Sequence, residues 1–183
     1  MVGYAGQLLV AAPRLADPNF SRAVILLLDH DDDGAVGVVV NRPSQLPLHA
    51  VLPAWAHSAA EPALLFTGGP VAPESALAVA ASLGDQPPVG FQRLVDHLGL
   101  IDLDQDPGSV VPAVQGFRVF SGYAGWGPGQ LEAEVAEGSW YVVSASTTDL
   151  LAPRPTGLWR SVLRRQPGEL AFVATWPLDP SMN

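Results

Sequence analysis

The chain has 183 residues, of which 48% are hydrophobic and 15% are charged. This length fits one domain spanning residues 1–183 and is enough to bury a sizeable core. The composition predicts a folded protein rather than a disordered one. The formal net charge of −9 disfavours non-specific nucleic-acid binding, because such binding depends on neutralising phosphates.

Two residue types are absent from the sequence, and each absence excludes a group of functions. There is no cysteine, which excludes disulfides, thiolate nucleophiles, iron–sulfur clusters and cysteine zinc sites. There is no lysine either, so all nine positive side chains are arginine. P-loop lysines, Schiff-base chemistry and pyridoxal phosphate attachment are therefore excluded as well. We expect no cofactor.

The apolar stretches of the chain indicate a protein without a membrane segment. The longest strongly apolar run, residues 23–28, suits a buried strand and is far too short to span a membrane. No Lys or Arg precedes the apolar residues at the N-terminus, so we expect no signal peptide. The sequence therefore predicts a cytoplasmic protein.

The first part of the chain is predicted to be rich in strands. Residues 30–34 form a long acidic hairpin loop between the second and third strands, and residues 43–62 predict a loop with a short helix broken near Pro53. Apolar and β-branched runs predict strands over residues 7–12, 22–29, 35–41 and 63–67.

The remainder of the chain mixes strands and helices. Residues 75–81 fit a strand or a helix, and residues 107–115 predict a short helix closed by Gly116. Further strands are predicted over residues 98–103, 117–123, 140–144 and 170–175. Helices are predicted between Pro128 and Gly138, and after a Thr156 cap with Leu158, Trp159, Val162 and Leu163 buried. Many strands without regular βαβ alternation predict an α+β fold.

The acidic hairpin resembles the start of a calcium-binding loop. Asp29, Asp31, Asp33 and Gly34 have the spacing of an EF-hand, but the twelfth position is Val40 instead of a bidentate Glu. Predicted strands, not helices, flank the loop. We therefore expect an exposed, solvated turn and no metal site.

Two glycine-rich segments are the first candidate sites. Residues 122–131 hold four glycines together with Tyr123 and Trp126, at a predicted corner between a strand and a helix. The two rings fill the core, or they line a cleft beside free backbone N–H groups at the helix start. Gly68 and Gly69 form a tight turn or, alternatively, cradle an anion with their N–H groups.

An arginine-rich segment is the second candidate site. Residues 150–168 contain no acidic residue and four arginines, namely Arg154, Arg160, Arg164 and Arg165. These side chains complement the dipole of a helix C-terminus, or they bind an acidic ligand or partner. We take Arg160, Arg164 and Arg165 as binding candidates. There is no H-E-x-x-H or G-x-S-x-G pattern, so no catalytic residue is predicted.

Six motifs follow one another in an order typical of one family. They occupy residues 6–11, 17–22, 34–43, 68–71, 122–131 and 179–183. On these motifs the chain resembles the YqgE/AlgH family over nearly its whole length. The resemblance implies a cytosolic bacterial protein with a bent mixed sheet rolled into a pseudo-barrel and helices packed around it. Some members are described as transcriptional regulators of alginate synthesis, and the family offers no agreed catalytic residues. It usually has serine where this chain has Ala23.

These observations favour a binding or regulatory module over an enzyme. The expected partner is another protein or a small anionic ligand. An enzyme that acts on an anionic substrate through carboxylates and the arginine cluster is the alternative. Direct DNA binding rests on the family description alone, since no helix-turn-helix pattern is present and the net charge opposes it. The sequence leaves the oligomeric state open.

Overall fold

Strands make up most of the protein in a computed structural model, which describes residues 3–178. The strands are β1 (Gln7–Ala11), β2 (Val24–Asp31), β3 (Gly34–Val39), β4 (Pro43–Pro47), β5 (Leu64–Thr67), β6 (Val71–Ser82), β7 (Phe91–Val95), β8 (Leu98–Ile101), β9 (Val114–Trp126) and β10 (Trp140–Ser144). The helices are α1 (Pro53–Ala56), α2 (Pro107–Val110), α3 (Gln130–Ala136), α4 (Thr147–Leu150), α5 (Leu158–Arg164) and α6 (Leu170–Val173). Among the described residues, no helix is long and apolar enough to cross a membrane.

The strands form one curled sheet in the order β10-β1-β2-β3-β9-β6-β8-β7. Neighbours along this path are antiparallel, while β5 joins β9 in parallel and carries β4 at its other side. The sheet curls into a half-barrel with the helices around it. The predicted α+β fold with a bent mixed sheet rolled into a pseudo-barrel is confirmed.

Strand β2 explains the unbroken apolar run near the N-terminus. Its Leu26 packs with Trp159 of α5 in one cluster, which we call the main core. The next side chain towards the N-terminus, Ile25, packs in a second cluster with Trp126. Both faces of the strand are covered, so apolar residues follow one another without polar alternation. A third cluster, around Phe117, contains side chains of β6, β8 and β9.

Strand β9 is the longest strand and joins the two halves of the sheet. It pairs with β6 over most of its length and with β3 at its last residues, where Trp126 lies opposite Ala35. Gly122, whose φ of 68° favours glycine, lies where the register between β6 and β9 shifts. Residues 122–126 are strand, so the predicted corner between strand and helix lies later in the segment, at residues 127–129.

Helix α3 begins later than the proline signal indicates. It starts at Gln130 after Gly129, whose φ is 72°, so Pro128 lies two residues before the first helical position. The predicted stop is confirmed, because Gly138 has a φ of 78° and donates its N–H to the carbonyl of Val135.

The predicted final strand over residues 170–175 is wrong, because this segment forms α6. Leu170 and Val173 pack against the main core and Ala174 is buried within it, whereas Phe172 is 75% exposed. The spacing of three and four residues is helical, and a short apolar run does not distinguish it from a strand.

Other predicted boundaries also shift. The helix expected over residues 107–115 ends in a 3-10 turn, Val111–Ala113, and Gly116 lies inside β9. Pro53 begins α1 instead of breaking it, and β7 was not predicted. The acidic hairpin is tighter than expected because Asp31 already pairs with Gly34. Thr156 lies in a 3-10 turn, and Gly157 is the N-cap of α5, without a side-chain hydrogen bond.

Candidate anion-binding site

The candidate residue Trp126 lies in the core. Its side chain is 6% exposed, and its Nε1 donates to Oε2 of Glu134 at 2.9 Å. Trp140 donates to the same oxygen at 2.8 Å. The two indoles meet edge to face, and Phe20 stacks on Trp126. The polar edge of Trp126 is thus satisfied inside the protein, and the half-buried Tyr123 packs against the main core.

The second glycine candidate, Gly68-Gly69, lies directly against the first. The N–H of Gly68 donates to the carbonyl of Ser121 at 2.8 Å, and its own carbonyl accepts from Val39 at 2.8 Å. A Cβ added to Gly68 would lie 2.3 Å from the carbonyl oxygen of Gly122. The two segments are therefore one backbone crossing at which side chains do not fit. The N–H of Gly68 is engaged in this crossing.

The arginine-rich segment divides between two surfaces. Arg165 forms a bidentate ion pair with Asp149, at 2.5 and 2.6 Å. Asp149 is 2% exposed and caps α4, and its hydrogen bond raises the pKa of Arg165 above its usual value. This carboxylate immediately precedes the acid-free stretch, so the sequence window missed it. Arg154 and Arg165 line one groove beside it, and Arg164 is exposed.

Arg160 faces a different cavity, together with two arginines that sequence analysis did not select. Arg22 is the last residue of the motif at 17–22, and Arg42 lies just before the proline that ends the motif at 34–43. Both arginines line this cavity of about 430 Å³. We call it the arginine pocket. Its further walls include the hydroxyl residues Ser21 and Thr156, the indole of Trp159 and the side chain of Leu178. Among residues 3–178, no residue that lines the pocket carries a carboxylate.

Arg22 is held in an unusual backbone conformation. Its φ of 58° is uncommon for a residue other than glycine. Asn41 supports it, because Nδ2 of Asn41 donates to the Arg22 carbonyl at 2.9 Å while Oδ1 accepts from the N–H of Val24 at 2.9 Å. The guanidinium lies over the ring of Trp159, 4.3 Å from the centroid. Its Nη2 donates to the carbonyl of Pro177 at 2.7 Å.

The remaining terminal nitrogen of Arg22 has no such contact. Nη1 is buried and has no hydrogen-bond partner within residues 3–178. A buried donor left unpaired costs about 1–3 kcal/mol, and more for a charged group. Burial lowers the pKa of Arg22, and the nearby positive charge of Arg160 lowers it further. The pocket therefore places two like charges side by side, one with an unused donor.

Arg42 and Arg160 hold the walls of the pocket through backbone carbonyls. Arg42 donates to Pro18 at 3.3 Å, to Asn19, and to Ser21 at 2.7 Å, which fixes the turn that leads into Arg22. Burial lowers the pKa of Arg42, and Asp17 opposes this shift. Arg160 donates to the carbonyls of Ala174 at 2.5 Å and Trp176 at 3.2 Å.

Arg118 is buried elsewhere and is not part of the pocket. It is 1% exposed and lies 4.3 Å from the ring centroid of Phe66. It donates to the carbonyls of Leu150 at 3.1 Å, Ala152 at 3.2 Å and Glu61 at 2.7 Å. Burial lowers the pKa of Arg118 to about 10, so it stays charged at neutral pH. All its partners are backbone groups, which indicates a structural role.

The sequence contained one usable signal for the arginine pocket. Arg22 and Arg42 both lie in motifs that carry the family resemblance, whereas the high density of arginines along the chain points to residues 154–165. Of that cluster only Arg160 belongs to the pocket. Within residues 3–178, no group of three or more His, Asp or Glu side chains is placed to hold a metal ion.

The half-barrel sheet, with its glycine crossing and its surrounding helices, places the protein in the α+β class. A family model described as AlgH-like matches residues 8–171, and the chain therefore belongs to the AlgH-like family. The resemblance seen in the sequence motifs is confirmed.

Relatives and solved structures agree with this membership. A UPF0301 protein of Streptomyces coelicolor is 54% identical over 182 residues, which cover 97% of this chain and 94% of the relative. A Corynebacterium diphtheriae crystal structure has a TM-score of 0.88 at 34% identity and covers 94% of this chain and 92% of its own. The solution structure of AlgH from Pseudomonas aeruginosa has a TM-score of 0.70 at 28% identity, covering 96% and 95%.

Proposed function

We propose that this protein is a binding module for a small anionic ligand, which is held in the arginine pocket. One observation carries the proposal: Arg22 and Arg160 face one cavity without a lining carboxylate, and Nη1 of Arg22 is buried and unpartnered within residues 3–178. An oxyanion supplies the acceptor that this nitrogen lacks. It also screens the repulsion between the two guanidiniums.

The size and charge of the pocket agree with a small ligand. A cavity of about 430 Å³ lies within the range of small-molecule sites, roughly 300–1,000 Å³. Guanidinium groups bind carboxylate and phosphate through paired N–H donors. The pocket concentrates positive charge on a chain whose net charge is −9, so an anion is attracted to this place and repelled from most others.

Binding is favoured over the enzymatic alternative because the part of the chain that the structure describes brings no acid–base pair to the pocket. General acid–base catalysis needs a titratable group near the reacting atoms, most often His, Glu or Asp. The described lining residues include hydroxyl groups at Ser21 and Thr156 but no histidine or carboxylate that would activate them. The Asp149–Arg165 pair is closed on itself and lines the other groove.

The proposed module acts in the cytoplasm through its ligand or a protein partner. Direct contact with DNA is not part of the proposal, since a net charge of −9 opposes binding to phosphates. A regulatory role follows if ligand binding changes which partner the module contacts. Cell fractionation tests the location: a protein recovered outside the cytoplasmic fraction would contradict it.

Isothermal titration of inorganic phosphate at low ionic strength tests the binding function. We expect Arg160→Gln and Arg22→Gln to weaken the affinity about tenfold or more, because each removes a charge-assisted hydrogen bond. Arg164→Gln is the matched control. This exposed arginine on α5 lies outside the pocket, so the variant should bind phosphate with the affinity of the wild type. Equal affinity in all four proteins, or no binding to any, would contradict the proposal. Melting temperatures measured in parallel confirm that the variants are folded.

A further inference from the structure

The arginine pocket continues into an exposed apolar segment, which bears on the kind of anion that binds. We infer that the ligand is a small amphiphilic oxyanion, with its head group on Arg22 and Arg160 and an apolar chain along Leu178. This inference rests on the proposed function and names the chemical class of its ligand.

Exposed apolar side chains are concentrated near the C-terminal end of the described chain. Phe172, Trp176 and Leu178 are 75%, 50% and 73% exposed. Leu178 also lines the arginine pocket. Single exposed apolar residues are normal, whereas a group of large ones marks a binding surface. Leu178 therefore adds an exposed apolar side chain to the wall of the anion site.

The same arginines fix this apolar segment beside the positive charges. Arg160 donates to the carbonyls of Ala174 and Trp176, and Arg22 donates to that of Pro177. The segment before Leu178 is thus tied at three carbonyls to the two guanidiniums of the proposed head-group site. The indole of Trp159 forms another wall of the pocket and lies under Arg22. Charge and apolar surface meet here in a fixed arrangement.

A small molecule fits this arrangement better than a membrane does. The charged groups line a cavity, which a head group within a flat bilayer does not enter easily. Helix α6 has four residues and is too short to lie in a membrane interface as an amphipathic helix. An anionic membrane surface also repels a protein with a net charge of −9.

A series of alkyl monophosphates tests the inference. Inorganic phosphate and the ethyl, butyl and hexyl esters are titrated below their micelle concentrations. We expect the dissociation constant to fall about fourfold for each methylene that becomes buried against Leu178. Leu178→Ser should flatten this dependence on chain length. Val89→Ser, at a residue that is 76% exposed but not among those lining the pocket, should keep both the dependence on chain length and the affinity for inorganic phosphate of the wild type.

The outcomes separate this inference from the proposed function. Equal affinity for phosphate and its esters would overturn the inference while anion binding stands. An unchanged chain-length dependence in Leu178→Ser would also overturn it. Binding of vesicles that contain phosphatidic acid, without binding of the soluble esters, would assign the site to a lipid surface instead. No binding even of phosphate would contradict the proposed function itself.

Discussion

At the scale of single residues, the glycines act through close approach of two backbones. Gly68 and Gly69 lie against Gly122 and Tyr123, and hypothetical Cβ atoms on both glycines would come within 2.3 Å of backbone atoms. Sequence reasoning treated these motifs as a turn and a corner, because nothing local indicates that they touch. Their contact depends on β5 and β9 lying side by side. The motif residues were recognised, but their joint role required the fold.

Substitution of Gly68 by alanine tests this crossing. Its new Cβ would lie 2.3 Å from the carbonyl oxygen of Gly122 and 2.9 Å from Cβ of Phe120. We expect the free energy of unfolding to fall by about 1–3 kcal/mol, because backbone and core must shift to accommodate it. Urea denaturation measures the change.

Gly84→Ala is the matched control for that substitution. A Cβ at Gly84 meets nothing within 4 Å, so we expect the stability to stay within about 0.5 kcal/mol of the wild type. If Gly68→Ala were as mild as this control, the crossing would not require glycine.

At the scale of secondary-structure elements, Arg118 connects three parts of the fold. It projects from β9, and its donors reach carbonyls at Glu61, at Leu150 in α4 and at Ala152. Its own Nε is buried without a partner in the described part of the chain. A buried charge is costly, yet three backbone carbonyls depend on this side chain. The guanidinium therefore replaces hydrogen bonds that regular secondary structure would otherwise supply.

Arg118→Met should destabilise the protein even though it removes a buried charge. Methionine fills a similar volume, but the carbonyls of Glu61, Leu150 and Ala152 lose their donor. We expect a loss of about 2–4 kcal/mol in the free energy of unfolding, measured by urea denaturation.

Arg93→Met is the corresponding control. Arg93 also donates to three backbone carbonyls, those of Gly84, Asp85 and Asp96, but these bonds are exposed. Water replaces the donors there, so we expect a change of less than about 1 kcal/mol. Similar losses in both variants would show that burial of Arg118 is not what makes its bonds important.

Sequence patterns predicted elements well where one physical signal dominates. The run over residues 23–28 indicated a buried strand, and the glycine at 138 marked the end of α3. The segment over residues 170–175 was assigned to a strand because its apolar residues fit either period, and only packing against the main core selects the helix. The sequence patterns did not predict strand β7. They extended its partner β8 to residue 103, although this strand ends at Ile101.

At the scale of the whole molecule, the arginine pocket is assembled from distant segments. Arg22 follows the first turn, Arg42 follows β3, and Arg160 lies in α5, while Leu178 comes from the far end of the described chain. The density of arginines along the sequence therefore grouped Arg160 with Arg164 and Arg165, which do not line the pocket. The fold places positive charge at one concave site on a chain of net charge −9. This contrast is the basis for assigning an anionic ligand.

A crystal structure of the protein soaked in tungstate tests the central claim most directly, because the anomalous signal of tungsten locates an oxyanion without ambiguity. We predict one dominant site in the arginine pocket, with an anion oxygen about 3 Å from Nη1 of Arg22 and with Arg160 at its other side. The site should disappear in Arg160→Gln crystals of the same form. Dominant anomalous density beside Arg154 and Arg165, or an empty arginine pocket in the wild-type crystals, would contradict the account.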